Sequence, residues 1–64
     1  MMKAYYDRDK KTFDFKAKDV KGMLKELGIL KNAVIVVVNK EVVTEEYAFK
    51  EKDEVKILSV VSGG

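Results

Sequence analysis

Apolar and polar side chains alternate in two short segments near the start of the chain. The apolar positions of these two segments are Met2, Ala4, Tyr6, Phe13 and Phe15. Alternation with a period of two places these side chains on one face of an extended backbone. The polar stretch 7–10 separates the segments, which is typical of an antiparallel hairpin. The pattern therefore predicts strands over residues 2–6 and 12–16.

The apolar period then changes from two to that of a helix. Apolar residues lie at i, i+3, i+4 and i+7 in Val20, Met23, Leu24 and Leu27. This spacing is typical of one helix face. Asp19 is suited to the N-cap, because its carboxylate accepts hydrogen bonds from free N–H groups. Gly28 is suited to the left-handed residue that ends a helix. Gly22 inside the helix costs about 1 kcal/mol relative to Ala, and we attribute its presence to close packing. We expect Ile29 and Leu30 to pack under the helix end.

The second half of the chain contains three further strand-like segments. Residues 34–38 form an unbroken β-branched run, which is typical of a strand inside a sheet and covered on both faces. One helix covers only one face of so small a sheet, so a partner covers the other face or it stays exposed. Asn39 and Lys40 form a short turn. Further strands are predicted over residues 41–43 and 54–61.

The order of the predicted elements is hairpin, helix, strand, short strand, strand. The loop of residues 44–52 is expected to point Tyr47 and Phe49 inward, and it lacks the second helix that a ferredoxin-like fold needs. With right-handed crossovers, this order favours an α+β fold of the β-grasp (ubiquitin-like) type. Its mixed sheet wraps around one helix, with the first and last strands parallel at its centre. We expect residues 1–64 to form a single domain.

The composition excludes most catalytic and metal-binding chemistry. The chain of 64 residues contains no cysteine and no histidine, which removes thiolate nucleophiles, the commonest general base and the usual zinc ligands. It has no glycine-rich phosphate loop of the required spacing, and the sequence identifies no base for Ser59 or Ser62. We expect no bound cofactor and no metal. Without an apolar leader, or a run near the ~20 residues that span a bilayer, a cytoplasmic protein is expected.

Charge is distributed unevenly along the chain. Residues 1–32 contain nine Lys or Arg against five Asp or Glu, whereas residues 33–64 contain four against six. A nucleic-acid-binding surface usually has a denser basic stripe with interleaved aromatic residues. We therefore interpret the charge as a solvated surface.

The last three residues, Ser62, Gly63 and Gly64, carry the candidate chemistry. Glycine has no Cβ, so such a segment can pass in extended form through a narrow channel. Three residues span about 10 Å. A terminal carboxylate, with a pKa of about 3.3–3.7, is ionised and unreactive at neutral pH. We therefore expect a flexible tail over residues 62–64 whose carboxylate another enzyme activates; the alternative is a frayed end without function.

Two segments of the second half, residues 38–43 and 53–64, match the pattern of a known family. They read V-N-K-E-V-V and D-E-V-K-I-L-S-V-V-S-G-G, where the family has roughly V-N-G-E-x-V and G-D-E-V-E-I-L-x-x-V-x-G-G. The chain thus resembles the ThiS and MoaD ubiquitin-like sulfur carriers over about residues 20–64. The Pro-Pro that is common before the tail in MoaD is absent, and the short length and the ending Ile57-Leu58-Ser59 favour a ThiS-like protein. Lys40 and Lys52 stand where the family has glycine, and a positive φ there would cost about 1 kcal/mol.

The resemblance implies that Gly64 is adenylated by a ubiquitin-activating-type enzyme, which uses ATP, and is then converted to a thiocarboxylate. Ser62 and Gly63 would thread the active site of the partner. The sulfur would pass to a thiazole synthase or to the large subunit of a pterin synthase, in thiamin thiazole or molybdopterin/tungstopterin biosynthesis. This chain would be a carrier acted on by an enzyme, not an enzyme, and would be a monomer when alone.

The resemblance also implies a partner-binding residue in the last strand. In MoaD-like members an apolar residue six positions before the end packs against the partner, and here that residue is Leu58. Strand parity agrees: if Val55 and Ile57 face the helix, Leu58 and Val60 face outward beside Lys56. The alternative is an isolated exposed leucine without function.

Two other functions remain open from the sequence. One is a ubiquitin-like modifier joined to target proteins through Gly64, which requires the same activation. The other is a non-covalent β-grasp module, an adaptor or an RNA-binding protein, for which the basic first half would be the contact surface.

Overall fold

The computed structural model describes residues 2–60, with five strands, one α-helix and one short 3₁₀ helix. The elements are β1 (Met2–Tyr6), β2 (Lys11–Phe15), α1 (Val20–Leu27), the 3₁₀ helix (Lys31–Ala33), β3 (Val34–Val38), β4 (Glu41–Val43) and β5 (Val55–Ser59). β2 begins and ends one residue earlier than predicted. The prediction of a last strand over residues 54–61 is too long, because β5 begins at Val55 and ends at Ser59. Val61 lies outside the described residues.

The five strands form one mixed sheet in the order β2-β1-β5-β3-β4. β1 and β5 run parallel, with Ala4 opposite Val55 and Tyr6 opposite Ile57. All other neighbouring strands are antiparallel. The predicted pairing of the first and last strands at the centre is confirmed. This topology, with α1 as the crossover, is the β-grasp fold.

One face of the sheet packs against α1 and forms the core. The buried apolar residues are Ala4, Tyr6, Phe15, Val20, Met23, Leu24, Val34, Val36, Val38, Val55 and Ile57. Tyr47 and Phe49 are partly buried against this core, as predicted. Their loop contributes aromatic contacts, since the rings of Phe15 and Phe49 lie 5.1 Å apart. No helix in the described part of the chain is long and apolar enough to cross a membrane.

The start of α1 is fixed by its own N-cap and by the loop before β5. Asp19 Oδ1 accepts a hydrogen bond of 2.7 Å from the N–H of Gly22. The N–H groups of Val20 and Lys21 donate to the carbonyls of Tyr47 and Glu45, each at 3.0 Å. These donors have no partner inside a helix, so the loop 44–53 supplies acceptors that the helix lacks.

The packing of Gly22 accounts for a glycine inside the helix. A Cβ at this position would lie 3.0 Å from Asp19 Oδ1 and 3.1 Å from the Cβ of Ala17. Both distances are shorter than ordinary van der Waals contact, so a Cβ here would require the Asp19 carboxylate or Ala17 to shift by a few tenths of an ångström. The predicted close packing is confirmed.

Two predictions about individual positions are wrong. α1 ends at Leu27 and is capped by Gly28, which has a left-handed φ of 70°. Ile29 then packs partly buried against the core. Leu30 does not pack under the helix, because the chain turns extended there and leaves its side chain 77% exposed. Lys40 has the expected positive φ of 71°, but Lys52 does not. The second lysine therefore replaces glycine without that backbone strain.

Candidate functional site at the end of β5

Strand β5 leads to the exposed end of the described chain. It lies between β1 and β3 and is hydrogen-bonded to both. Beyond it, the N–H of Val60 donates to the carbonyl of Ala33 at 2.8 Å, which holds this residue beside the 3₁₀ helix. Val60 is 44% exposed. The tail therefore starts from a fixed position at one end of the sheet.

The tail itself lies outside the described residues. The predicted roles of Ser62, Gly63 and Gly64, and the predicted flexibility of residues 62–64, therefore stay predictions.

Side chains alternate along β5 as the parity of the sequence predicted. Val55 and Ile57 are buried against the helix side, whereas Lys56 and Leu58 point to the opposite face. Leu58 is 37% exposed. The predicted direction is thus confirmed, and the role of Leu58, Val60 and Lys56 in binding a partner stays a prediction.

Neighbouring strands extend the apolar surface around Leu58. Ile35 lies opposite Leu58 on β3 and is 41% exposed, and Val37 lies opposite Lys56. On the other side, Tyr5 of β1 lies opposite Lys56 and is also exposed. We name this surface the outer patch, and its members are Tyr5, Ile35, Val37, Lys56, Leu58 and Val60.

Sequence reasoning missed three members of the outer patch, which are Tyr5, Ile35 and Val37. The signal for Ile35 was present in the β3 run, which is apolar on both faces although one helix covers only one. The signal for Tyr5 was its outward position in the alternation of β1. Within residues 2–60 no other element covers this face of β3, where Ile35 is exposed, and coverage by a partner stays a prediction.

The other end of β5 is held by a polar network centred on Asp53. Its Oδ1 accepts a hydrogen bond from Asn39 Nδ2 at 2.8 Å. Its Oδ2 accepts from the Tyr47 hydroxyl and from the Lys50 N–H, each at 2.7 Å. Asn39 also accepts from the Glu54 N–H at 2.9 Å. The asparagine and aspartate of the two family-like segments therefore join the β3–β4 turn to the start of β5.

The same hydrogen bonds shift two pKa values. Donation from the Lys50 N–H, then from the Tyr47 hydroxyl, holds the pKa of Asp53 below its ordinary value. The hydrogen bond to Asp53 raises the pKa of Tyr47. Each shift favours the protonation state that the network needs, because the carboxylate accepts and the phenol donates.

The described side chains include neither a metal-binding cluster nor a buried polar atom without a partner. The acidic residues among positions 2–60 form no group of three that could hold a metal ion. Within that range no buried side-chain nitrogen or oxygen lacks a hydrogen-bond partner.

Comparison with known protein families agrees with the resemblance found in residues 38–43 and 53–64. The model of a family described as "ThiS family" matches residues 3–64, which is nearly the whole chain. This match does not separate ThiS-like from MoaD-like proteins. No curated protein matches the chain in sequence.

Proposed function

Because the chain belongs to the ThiS family, we propose that it carries sulfur as a thiocarboxylate on Gly64. Proteins of this family are small carriers with a role in biosynthesis, not catalysts, and they interact with adenylating and sulfur-accepting enzymes. The family match reaches the last residue of the chain, and this single observation carries the proposal.

The proposed chemistry takes place in two steps on the terminal carboxylate. The carboxylate of Gly64 attacks the α-phosphorus of ATP, which forms an acyl-adenylate and releases pyrophosphate. Hydrosulfide, or an enzyme that delivers its equivalent, then attacks the acyl carbon and displaces AMP. The product is a thiocarboxylate, and one proton is released. Activation is needed because the free carboxylate is ionised and unreactive at neutral pH.

The chain contributes position and recognition to this chemistry. β5 is held between two strands, and the Val60 N–H is bonded to Ala33, so the tail starts from a rigid base. Ser62 and Gly63 are small enough to enter a narrow channel in extended form. The outer patch supports a partner contact, in which Leu58 and Val60 supply apolar area and Lys56 supplies a charge.

The receiving enzyme is proposed to be a thiazole synthase or the large subunit of a pterin synthase. The corresponding pathways are the formation of the thiamin thiazole and of molybdopterin or tungstopterin.

ATP–pyrophosphate exchange tests the activation step. The assay uses a purified adenylating enzyme of the ubiquitin-activating type from the same organism, with the intact chain or a chain lacking Gly64. Deletion moves the carboxylate back by about 3.5 Å, and a misplacement of 1 Å can already reduce a rate by about 10². We expect exchange to fall at least a hundredfold. The distal variant Lys52→Ala should support exchange like the intact chain. Undiminished exchange without Gly64 would contradict the proposal.

A further inference from the structure

Leu30 is an exposed leucine beside the base of the tail. The Ala33 N–H donates to the carbonyl of Leu30 at 3.0 Å, and the carbonyl of Ala33 accepts from the Val60 N–H at 2.8 Å. Two hydrogen bonds therefore connect the backbone of Leu30 to the residue from which the tail departs. Its side chain is 77% exposed, although a single exposed apolar residue is common and needs further evidence before a role is assigned.

The further evidence is a groove between α1 and the segment that follows it. It has a volume of about 300 Å³, and we name it the helix-side groove. Its lining residues are Lys21, Leu24, Lys25, Ile29, Leu30, Lys31 and Glu45. Leu24, Ile29 and Leu30 supply its apolar lining, so an apolar side chain of another protein could be buried there.

Charge at the rim of the helix-side groove indicates what would occupy it. Lys31 Nζ pairs with Glu45 Oε1 at 3.2 Å, and this is the one salt bridge within residues 2–60. Lys21 and Lys25 therefore have no carboxylate partner in the described part of the chain. An apolar groove with two such ammonium groups is complementary to an apolar side chain flanked by carboxylates.

Under the proposed function, the short segment after Val60 brings the enzyme that acts on Gly64 close to this groove. Four residues follow Val60 in the sequence, and they span at most about 14 Å when fully extended. An enzyme that encloses the Gly64 carboxylate must therefore approach the surface around Val60 closely. The helix-side groove lies on the α1 side of that surface, and the outer patch lies on the other face of the sheet.

We propose that the helix-side groove is a second docking site for the adenylating enzyme, which inserts an apolar side chain beside Leu30 and places carboxylates near Lys21 and Lys25. This inference rests on the proposed function and names a contact of the same partner. The enzyme then contacts the carrier at both the helix-side groove and the outer patch, on either side of Val60.

Leu30→Asp tests the apolar part of this contact in the exchange assay, with carrier concentration as the variable. We expect the KM for the carrier to rise about tenfold, the effect of losing one anchor worth about 1.4 kcal/mol, with kcat unchanged. The matched control is Ala48→Asp, which introduces the same charge at an exposed position beside Asp19, at the start of α1. The KM of this control should stay within about twofold of wild type, since surface changes outside a contact are nearly neutral.

Lys25→Glu tests the charged part of the contact. Its KM should rise, and added salt should weaken the wild type more than the variant, because salt screens exposed charges beyond about 10 Å at 0.1 M. Lys52→Glu makes the same charge change in the turn before β5, and it should leave the KM and its salt dependence as in wild type.

The outcomes separate this inference from the proposed function. If deletion of Gly64 abolishes exchange while Leu30→Asp keeps the wild-type KM, the helix-side groove is not a docking site but the carrier function stands. If deletion of Gly64 has no effect, the proposed function itself is wrong. The inference would also be overturned if Lys25→Glu left the KM for the carrier unchanged but abolished binding of a labelled single-stranded RNA. Leu30→Ser, with thermal melts of each variant, replaces Leu30→Asp if the latter does not fold.

Discussion

The two ends of β5 are built in opposite ways. At its start, the carboxylate of Asp53 accepts three hydrogen bonds, from Asn39, Tyr47 and Lys50. At its end, Val60 makes one backbone hydrogen bond to the 3₁₀ helix. Exposed apolar side chains surround that end, and they belong to Leu30, Ile35, Leu58 and Val60.

The difference assigns different tasks to the two ends. Folding exchanges the hydrogen bonds of a polar group to water for hydrogen bonds within the protein, and the exchange stabilises the native state only if those bonds are made. The hydrogen bonds of Asp53 are well formed. Exposed apolar area contributes little to the stability of the isolated chain, and where it clusters it marks contact with another protein. The start of β5 therefore maintains the fold, and the end of β5 is the part that we propose meets the partner.

The largest effect on stability is expected inside β5, at Ile57. This residue is fully buried, and Ile→Ala in a core costs about 2–5 kcal/mol. Leu58, the next residue, is 37% exposed on the opposite face, so Leu58→Ala should cost less, about 1–2 kcal/mol. Urea unfolding of both variants measures the difference. If Ile57→Ala does not fold, Ile57→Val should still cost about 0.5–1.5 kcal/mol. Equal losses of unfolding free energy at both positions would contradict the described orientation, in which Ile57 faces the core and Leu58 faces outward.

Removal of the Asp53 carboxylate should lower stability in a pH-dependent way. A carboxyl group whose pKa is lowered by folding stabilises the native state above its unfolded pKa of about 3.9, and this contribution is lost as pH falls through the folded value. Asp53→Asn should therefore lower the Tm by several degrees at pH 7, and the difference from wild type should shrink below about pH 4. Thermal melts across pH measure this.

Asp14→Asn is the control for the pH experiment. Asp14 is exposed on β2, and no hydrogen bond to its carboxylate occurs within residues 2–60. Its replacement should change the Tm little, because surface substitutions outside a contact are nearly neutral. A Tm difference for Asp53→Asn that is constant from pH 7 to pH 3 would mean that the hydrogen bonds of the carboxylate do not stabilise the start of β5.

Sequence reasoning predicted the local features of this fold well. Periodicity located the strands and α1, and the N-cap at Asp19 and the left-handed Gly28 followed from the chemistry of single residues. The same periodicity placed Leu58 on the outer face. These features depend on neighbours within a few positions of the chain, and that is the range in which a sequence pattern is informative.

Features that depend on distant contacts were not predicted. The Asp53 network joins Asn39 to a carboxylate 14 positions away, and no local pattern indicates that pairing. The exposure of Leu30 depends on the path of the chain after Gly28, and the same sequence could turn it inward or outward. Lys52 avoids a positive φ because its turn differs from the one that glycine in the family pattern suggested.

At the other end of β5, Leu58→Asp should separate binding from folding. The variant is expected to unfold close to wild type, because the side chain points away from the core. Its KM in the exchange assay should rise about tenfold, which corresponds to 1.4 kcal/mol of lost contact, whereas Ala48→Asp should not change it. Severe unfolding of Leu58→Asp would show that the residue belongs to the core.

The smallest effect is expected in the turn next to Asp53. Lys40 has a positive φ of 71°, which costs an ordinary residue about 1–2 kcal/mol. Replacement by glycine removes this cost, but the greater unfolded-state entropy of glycine offsets part of the gain. Lys40→Gly should therefore stabilise the chain by up to about 1 kcal/mol. Lys52→Gly, at a position without positive φ, should be neutral or destabilising. Urea unfolding compares them, and equal gains would contradict the described turn.

The mass of the C-terminal peptide, from carrier isolated from its own host, tests the central claim most directly. We predict a fraction in which one oxygen is replaced by sulfur at Gly64, and the loss of this fraction when the adenylating enzyme is deleted. Isopeptide-linked species of high mass would point instead to a protein modifier. A terminus that stays unmodified while the host makes the sulfur-containing product would contradict the carrier function.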